Sequence, residues 1–413
     1  MIKGVDMKGK PEPMDRAPGV LTGVALLLPI TLSTMAIVLL APILPQLMQA
    51  FGHVPGAPYW VPMILTIPAL CVAFFSPIAG LLGDRLGHRR LLLGSLLVYA
   101  AVGVAPLFLH SLPAILLSRV GVGLSEALIM VLSTAMIADH FSGAARDRWL
   151  AAQTAFASLS ALLFFNIGGQ LGALGWRTPF WAYGSALLMF LLVLFFTRQP
   201  VERTASPPAD AAQPVPVAFP WSNMLMILAI TVYGSIFFYT VQIQASSGLV
   251  QLQLTDPARI GFLTSIASIG VPLGTFLYSR IGRWPVRMLL LLEFAILAIG
   301  FCIMGYARTS SIFLIGCFLN QIGAGLLLPT LLVWAMSLLR FEIRGRGVGL
   351  WQSAFAFGQF LSPLVVTLLS GLAGGLLPAF VLLSIGALMG VGIALLLPFG
   401  RGGQPVAGVA AHG

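Results

Sequence analysis

Residues 80–90 read Gly80-Leu81-Leu82-Gly83-Asp84-Arg85-Leu86-Gly87-His88-Arg89-Arg90, and they separate two apolar runs, 59–82 and 91–109. The glycines allow helix ends to approach closely, and Asp84 beside Arg85 puts both signs of charge at one rim. The same alternation of apolar run and short charged turn continues in both directions. A helix needs about 20 apolar residues to cross a hydrocarbon core roughly 30 Å thick. Runs at 21–46, 59–82, 91–109, 113–138, 149–172, 178–196, 221–244, 260–280, 287–306, 310–339, 348–372 and 376–397 meet that requirement or come close, so twelve spans are expected. With 58% hydrophobic residues, 8% charged residues and a mean hydropathy of +0.98, the 413-residue chain is too apolar for a soluble enzyme.

The segment from Arg198 to Pro220 interrupts the pattern with charges and prolines and reads as a linker. It divides the chain into an N-terminal tail (1–20), a first six-span unit (21–197), the linker (198–220), a second six-span unit (221–398) and a C-terminal tail (399–413). The two units have nearly equal length, as a duplicated bundle would. Placing the N-terminus in the cytoplasm puts 18 of the 22 Lys and Arg residues on that side, the bias that positive-inside topology requires. Both termini are therefore expected in the cytoplasm. The net charge of +10 is dispersed between apolar runs, which argues against nucleic acid as a partner. Cys71, Cys302 and Cys317 lie within apolar segments without metal-ligand spacing, so neither a disulfide nor a metal site is expected.

The turn at 80–90 resembles the signature of the major facilitator superfamily, Gly-x-Leu-x-Asp-Arg-x-Gly-Arg-Lys, and departs from it only at His88 and Arg89. The resemblance implies an all-α membrane protein of two pseudo-symmetric six-helix bundles, a secondary transporter of the inner membrane working by alternating access. It also implies a cytoplasmic gate built from Gly80, Gly83, Asp84, Arg85, Gly87 and Arg89. Asp139 resembles the acid that joins this network, although a plain helix-end charge explains it equally well. By the same resemblance Asp84 would latch onto the loop Arg340–Gly347 when the cytoplasmic side closes. Arg280 and Gly282 repeat Arg85 and Gly87 in the second half, where Ser279 replaces the acid.

In the fourth span, Arg119, Gly123 and Glu126 fall on one narrow helical stripe. A carboxylate at that depth costs a few kcal/mol or more unless it is paired, hydrated or protonated. The stretch Arg119-Val-Gly-Val-Gly123 is similar to the superfamily's Arg-x-x-x-Gly motif, which implies proton coupling through Arg119 and Glu126. A structural pair and substrate binding by Glu126 are the alternatives. In the second half, 202 residues on, Gln321 replaces Arg119 and Leu328 replaces Glu126, so ionisable groups stay in the first half. Glu293 lies near a span end and is expected to snorkel to the rim or to pair with Arg283 or Arg287. In span five, Gly168-Gly169 keeps only the last two glycines of the antiporters' Gly-Pro-x-x-Gly-Gly element.

The family's cavity-lining spans offer Thr31, Thr34, Asn166, Tyr233, Phe237, Tyr239, Gln242, Asn320, Gln321, Trp351 and Gln352 beside Glu126. An aromatic, amide-rich lining with one acid suits an amphipathic or aromatic small molecule better than a polyol or a phosphate. Proton-coupled export of such a solute is the favoured expectation. Proton-symport uptake of an organic acid and an uncoupled uniporter or channel remain open. A membrane enzyme is disfavoured because the histidines lie in loops or tails, and no nucleotide-binding loop or cofactor is expected. Expected partners are the solute, protons and the bilayer, with the chain acting as a monomer.

Overall fold

The computed structural model describes residues 19–198, 219–340 and 343–397. Both tails, most of the linker and Glu342 of the expected latch loop lie outside them. Among the described residues there is no strand. Twelve helices among the described residues are long and apolar enough to cross a membrane. In chain order they are span 1 (Val20–Phe51), span 2 (Ala57–Leu86), span 3 (His88–Leu107), span 4 (Leu112–His140), span 5 (Gly143–Gly172) and span 6 (Thr178–Phe196). After the linker come span 7 (Trp221–Gln251), span 8 (Pro257–Ile281), span 9 (Val286–Gly305), span 10 (Ser310–Ser337), span 11 (Gly345–Ala373) and span 12 (Leu376–Leu396). Most run a few residues beyond the apolar stretches, because the helices continue into their interfacial ends, as span 2 does through Asp84 and Arg85.

Each half has its own apolar core, one around Leu26, Tyr99, Ile129 and Phe180, the other around Ile227, Phe294, Phe301 and Phe380. Burial of these side chains against one another, in helices whose backbone groups are satisfied internally, is what a membrane-spanning chain requires. Small residues bring the helices together. A Cβ on Gly123 of span 4 would stand 2.6 Å from the Cα of Pro68 in span 2, so the helix carrying Glu126 packs backbone to backbone on its neighbour.

The two bundles are joined at the end remote from the Gly80–Arg90 turn. There the Ser246 hydroxyl of span 7 donates to the Ala41 carbonyl (2.6 Å), and the Thr367 hydroxyl of span 11 donates to the Pro58 carbonyl (3.1 Å). Gly169 and Gly261 let spans 5 and 8 cross in contact: a Cβ on Gly169 would be 2.5 Å from the Pro257 carbonyl oxygen. Nearer the middle, Ala356 of span 11 packs with Ala69, Val72 and Ala73 of span 2 and Ala127 of span 4. At the opposite, charged end Asp84 is exposed, and a Cβ on Gly345 or Gly349 of span 11 would meet nothing.

Span 1 is not one continuous helix. It runs as helix Val20–Leu27, a 3-10 turn Leu28–Ile30, helix Thr31–Val38, a second 3-10 turn Ala41–Ile43, and helix Leu44–Phe51. Pro29 and Pro42 sit in the two turns, and Pro45 follows. Each proline removes the N–H that would bond the carbonyl four residues earlier. The carbonyl that Pro45 leaves free is Ala41, the one taken by Ser246 of the other bundle. Span 7, its counterpart in the second half, is an unbroken helix of 31 residues.

Candidate functional site: a buried carboxyl between the bundles

Glu126 lies midway along span 4, fourteen residues from either end, or about 21 Å at ~1.5 Å per residue. It is 4% exposed, and its Oε2 has no hydrogen-bond partner. The Ser33 side chain of span 1 stands near the carboxyl. Within electrostatic range are Cys71 of span 2, Tyr99 of span 3, Tyr183 of span 6 and, from the other bundle, Tyr239 of span 7. Tyr239 packs against the cores of both halves. Glu126 therefore faces the plane where the bundles meet, with no cation paired to it.

Arg119 shares the stripe but not the surroundings. It is fully buried and directs one guanidinium nitrogen to the Val102 and Gly103 carbonyls of span 3, 3.1 Å from each. Its guanidinium stands 4.8 Å from the ring centroid of Tyr183 and 5.2 Å from that of Phe180. No ion pair joins it to Glu126. Tyr99 and Tyr183, stacked with centroids 5.5 Å apart, lie within electrostatic reach of both residues. One terminal nitrogen is held by carbonyls and the guanidinium plane lies against aromatic faces, while Nη1 has no hydrogen-bond partner; none of these contacts reaches the carboxyl, which stays uncompensated.

At the charged rim the residue that departs from the family signature makes the central contact. His88 Nδ1 lies 2.7 Å from Asp139 Oδ2, and its Nε2 lies 3.3 Å from Asp84 Oδ1. An imidazolium can donate to both carboxylates, whereas neutral imidazole can donate to one. Arg89 instead reaches the last turn of span 6, where it donates to the carbonyls of Thr197 (3.1 Å) and Leu194 (2.8 Å), a favourable place for a cation at a helix C-terminus. Gly83 makes room for Leu132 and the His88 ring, Gly80 lies near Val131, and Gly87 (φ 86) turns the chain into span 3. In the second half Arg280 lies over Phe276 (5.4 Å), and a Cβ on Gly282 would meet Tyr278.

The remaining expected cavity residues divide into three groups. Tyr239 belongs to an aromatic wall with Phe238, Phe355 and Trp351, centroids 4.8–5.5 Å apart; Gln352 is exposed beside it. Gln242, Gln321 and Asn320 form a buried amide chain, with Asn320 Nδ2 left unpartnered. Tyr233 and Phe237 face the interior of the second bundle: the Tyr233 hydroxyl donates to Gly386 of span 12, and both rings pack on Phe294 of span 9. Thr31 donates to the Leu28 carbonyl and Thr34 to Ala157 of span 5 (3.3 Å), so both brace the broken span 1. Asn166 is half-buried on span 5, one residue from Phe165, whose carbonyl abuts Gly261.

Glu293 differs from the sequence expectation. It is fully buried, accepts a hydrogen bond from Thr330 of span 10, and pairs with neither Arg283 nor Arg287. Its helical phase turns it toward span 10, where the Thr330 hydroxyl satisfies one oxygen. Tyr99 and Tyr183 were not singled out in the sequence. A tyrosine in an apolar run must place its hydroxyl somewhere, and that was the available signal. Two concavities lie away from Glu126. One, of about 360 Å³, is at the joined end beside Gln46 and Trp176; the other, of about 320 Å³, lies between spans 7, 9 and 12 around Tyr233 and Phe294.

The Major Facilitator Superfamily matches residues 26–363 and 250–407. The chain belongs to this superfamily. The tetracycline resistance protein, class D, of Salmonella ordonez is 26% identical over 363 residues, 85% of this chain and 86% of that protein. The quinolone resistance protein NorA of Staphylococcus aureus is 25% identical over 169 residues, which is 41% of this chain and 43% of NorA. Among solved structures, a bacterial homologue of the human lysosomal transporter Spinster, inward-facing and unoccupied, superposes with a TM-score of 0.75 at 15% identity. That superposition covers 93% of this chain and 97% of the homologue, a likeness of fold. The superfamily chain described here is thus a multi-pass membrane transporter and not an enzyme.

Proposed function

We propose that the protein exports a small amphipathic or aromatic solute in exchange for protons, with Glu126 as the proton carrier. The observation that carries this reading is a buried, cation-free carboxyl facing the plane between the two bundles. Uncompensated charge at that depth is expensive, so an empty site favours a protonated Glu126. A solute that brings positive charge or hydrogen-bond donors into the cleft would stabilise the carboxylate and release the proton, which couples the two fluxes. The aromatic wall of Tyr239, Phe355 and Trp351 supplies the apolar face such a solute needs. The likeness to tetracycline and quinolone resistance proteins supports export.

The orientation expected from the Lys and Arg distribution places the joined end outside and the Asp84 end in the cytoplasm of the cell. In that frame the inter-bundle contacts described above lie at the outside end and near the middle, the arrangement expected of a state that loads its solute from the cytoplasm. The test uses everted membrane vesicles acidified by respiration, with a pH-sensitive dye inside. Lipophilic cations, neutral aromatics and organic anions are added to wild type and Glu126→Gln. Solute-dependent proton efflux in wild type that is lost in Glu126→Gln supports the reading; efflux that survives the substitution refutes Glu126 as carrier. If no solute produces efflux, export gives way to proton-symport uptake.

A further inference from the structure

We propose that Tyr99 and Tyr183 are positioning residues that tie the middle segment of span 1, Thr31–Val38, to the Glu126 site, so that protonation of Glu126 moves span 1. This rests on the proton-carrier reading above. The Tyr99 hydroxyl donates to the Leu32 carbonyl at 2.9 Å, and the Tyr183 hydroxyl donates to the Ala36 carbonyl at 3.3 Å. Both acceptors lie in the eight-residue helix bounded by the two 3-10 turns. The second turn explains why Ala36 is available: the Leu40 N–H bonds to Ile37, one residue short of the regular helical acceptor. The carbonyl of Ala36 thus loses its helical donor, and a buried carbonyl needs another.

The same short helix carries Ser33, whose side chain stands near Glu126. Two hydrogen bonds and the Ser33 side chain therefore converge on one short helix of span 1, between the two turns. Ionised Glu126 accepts from Ser33 strongly, whereas protonated Glu126 can itself donate, so the Ser33 contact changes with protonation. The tyrosines hold Thr31–Val38 in register with the Glu126 site, so that a change in that contact is passed on to span 1. Arg119 clamps the pair from behind, with its guanidinium against Tyr183. The groups facing Glu126 are Ser33, Cys71, Tyr99, Tyr183 and Tyr239, and Arg119 lies beyond the two tyrosines.

The second half acts as an internal comparison. Phe301 stands 202 residues after Tyr99, the offset that relates Gln321 to Arg119. It stacks on Phe380 of span 12 with centroids 6.1 Å apart, so the ring stack persists without hydroxyls. Span 7 beside it is continuous, and its Ile236 carbonyl is met by the Ser362 hydroxyl of span 11 rather than by a ring hydroxyl.

The experiment follows span 1 directly and needs no solute. In a background with Cys71, Cys302 and Cys317 replaced by alanine, which adds no hydroxyl beside Glu126, spin labels are placed at the exposed positions 20 and 221, the starts of spans 1 and 7. Distances are recorded in lipid nanodiscs between pH 5 and 9 for wild type, Glu126→Gln, Tyr99→Phe, Tyr183→Phe and the double tyrosine variant. The expected result is a pH-dependent distance in wild type that is fixed in Glu126→Gln and reduced roughly 2- to 10-fold in population shift for each hydroxyl removed. Thermal midpoints identify any variant that has merely lost its fold, and Phe keeps the ring stack. If wild type responds, Glu126→Gln does not, and the double phenylalanine variant responds as wild type, the positioning role is overturned while the proton-carrier reading stands. If wild type and Glu126→Gln behave alike, both are overturned.

Discussion

Replacing Gly169 by alanine should open the joined end. The added Cβ would stand 2.5 Å from the Pro257 carbonyl oxygen and 2.8 Å from the Gly261 Cα, against an optimal carbon contact of about 3.5–4.0 Å. Both obstacles are backbone, so no side chain can turn aside, and spans 5 and 8 must part by about 1 Å. Overpacking of this kind costs about 1–3 kcal/mol. Because spans 5 and 8 belong to different bundles, the cost falls on the state in which the bundles touch at that end. At about 1.4 kcal/mol per tenfold, the equilibrium should move about 5- to 150-fold toward the state open there. Spin labels at positions 174 and 262, both exposed and flanking the crossing, would report this as growth of a longer distance population. Gly123→Ala is the control. Its Cβ would strike Pro68 within the first bundle, so it should lower thermal stability without favouring either state. An unchanged 174–262 distance in a folded Gly169→Ala protein would refute the reasoning.

Arg119→Lys should lower the thermal midpoint by the equivalent of about 1.5–3 kcal/mol, because an ammonium replaces a charged hydrogen-bond set and an aromatic stack that need a planar guanidinium; a calorimetric or dye-based melt measures it. Thr330→Val leaves both oxygens of Glu293 without a partner and should cost about 1–3 kcal/mol in the same melt, with solute-driven proton flux retained because spans 9 and 10 hold this pair away from Glu126. Asp84→Asn should change stability by less than about 1 kcal/mol, since the His88 contact is largely exposed. It should also increase the share of molecules whose position-20 and position-221 labels are far apart, because the acid expected to latch the cytoplasmic side is gone.

Twelve spans and the superfamily were readable because the bilayer imposes one requirement, length of apolar helix, that composition reports directly. Gly80–Arg90 added specificity through spacing that topology alone does not explain. Glu126 was legible for the same physical reason, as an isolated charge in an apolar run. Its relation to Arg119 was not. A shared stripe on a helix fixes direction only to within a broad sector, and spans 3 and 6, which supply Val102, Gly103, Phe180 and Tyr183, decide where the guanidinium goes. Tyr233 and Phe237 turned toward span 9 rather than the cleft for a similar reason, because helix rotation is set by packing against neighbours. The breaks in span 1 were written in Pro29, Pro42 and Pro45. The hydroxyls that satisfy the resulting carbonyls come from other spans, Tyr183 and Ser246, which no local pattern connects.

The central claim is that Glu126 couples solute movement to protons. Purified wild type and Glu126→Gln, reconstituted into liposomes with an imposed pH gradient, can be given whichever solute drives proton efflux in the vesicle assay. Wild type should accumulate the solute against its gradient, and Glu126→Gln should lose that accumulation while still exchanging labelled for unlabelled solute. Gradient-driven accumulation that persists in Glu126→Gln would contradict the account.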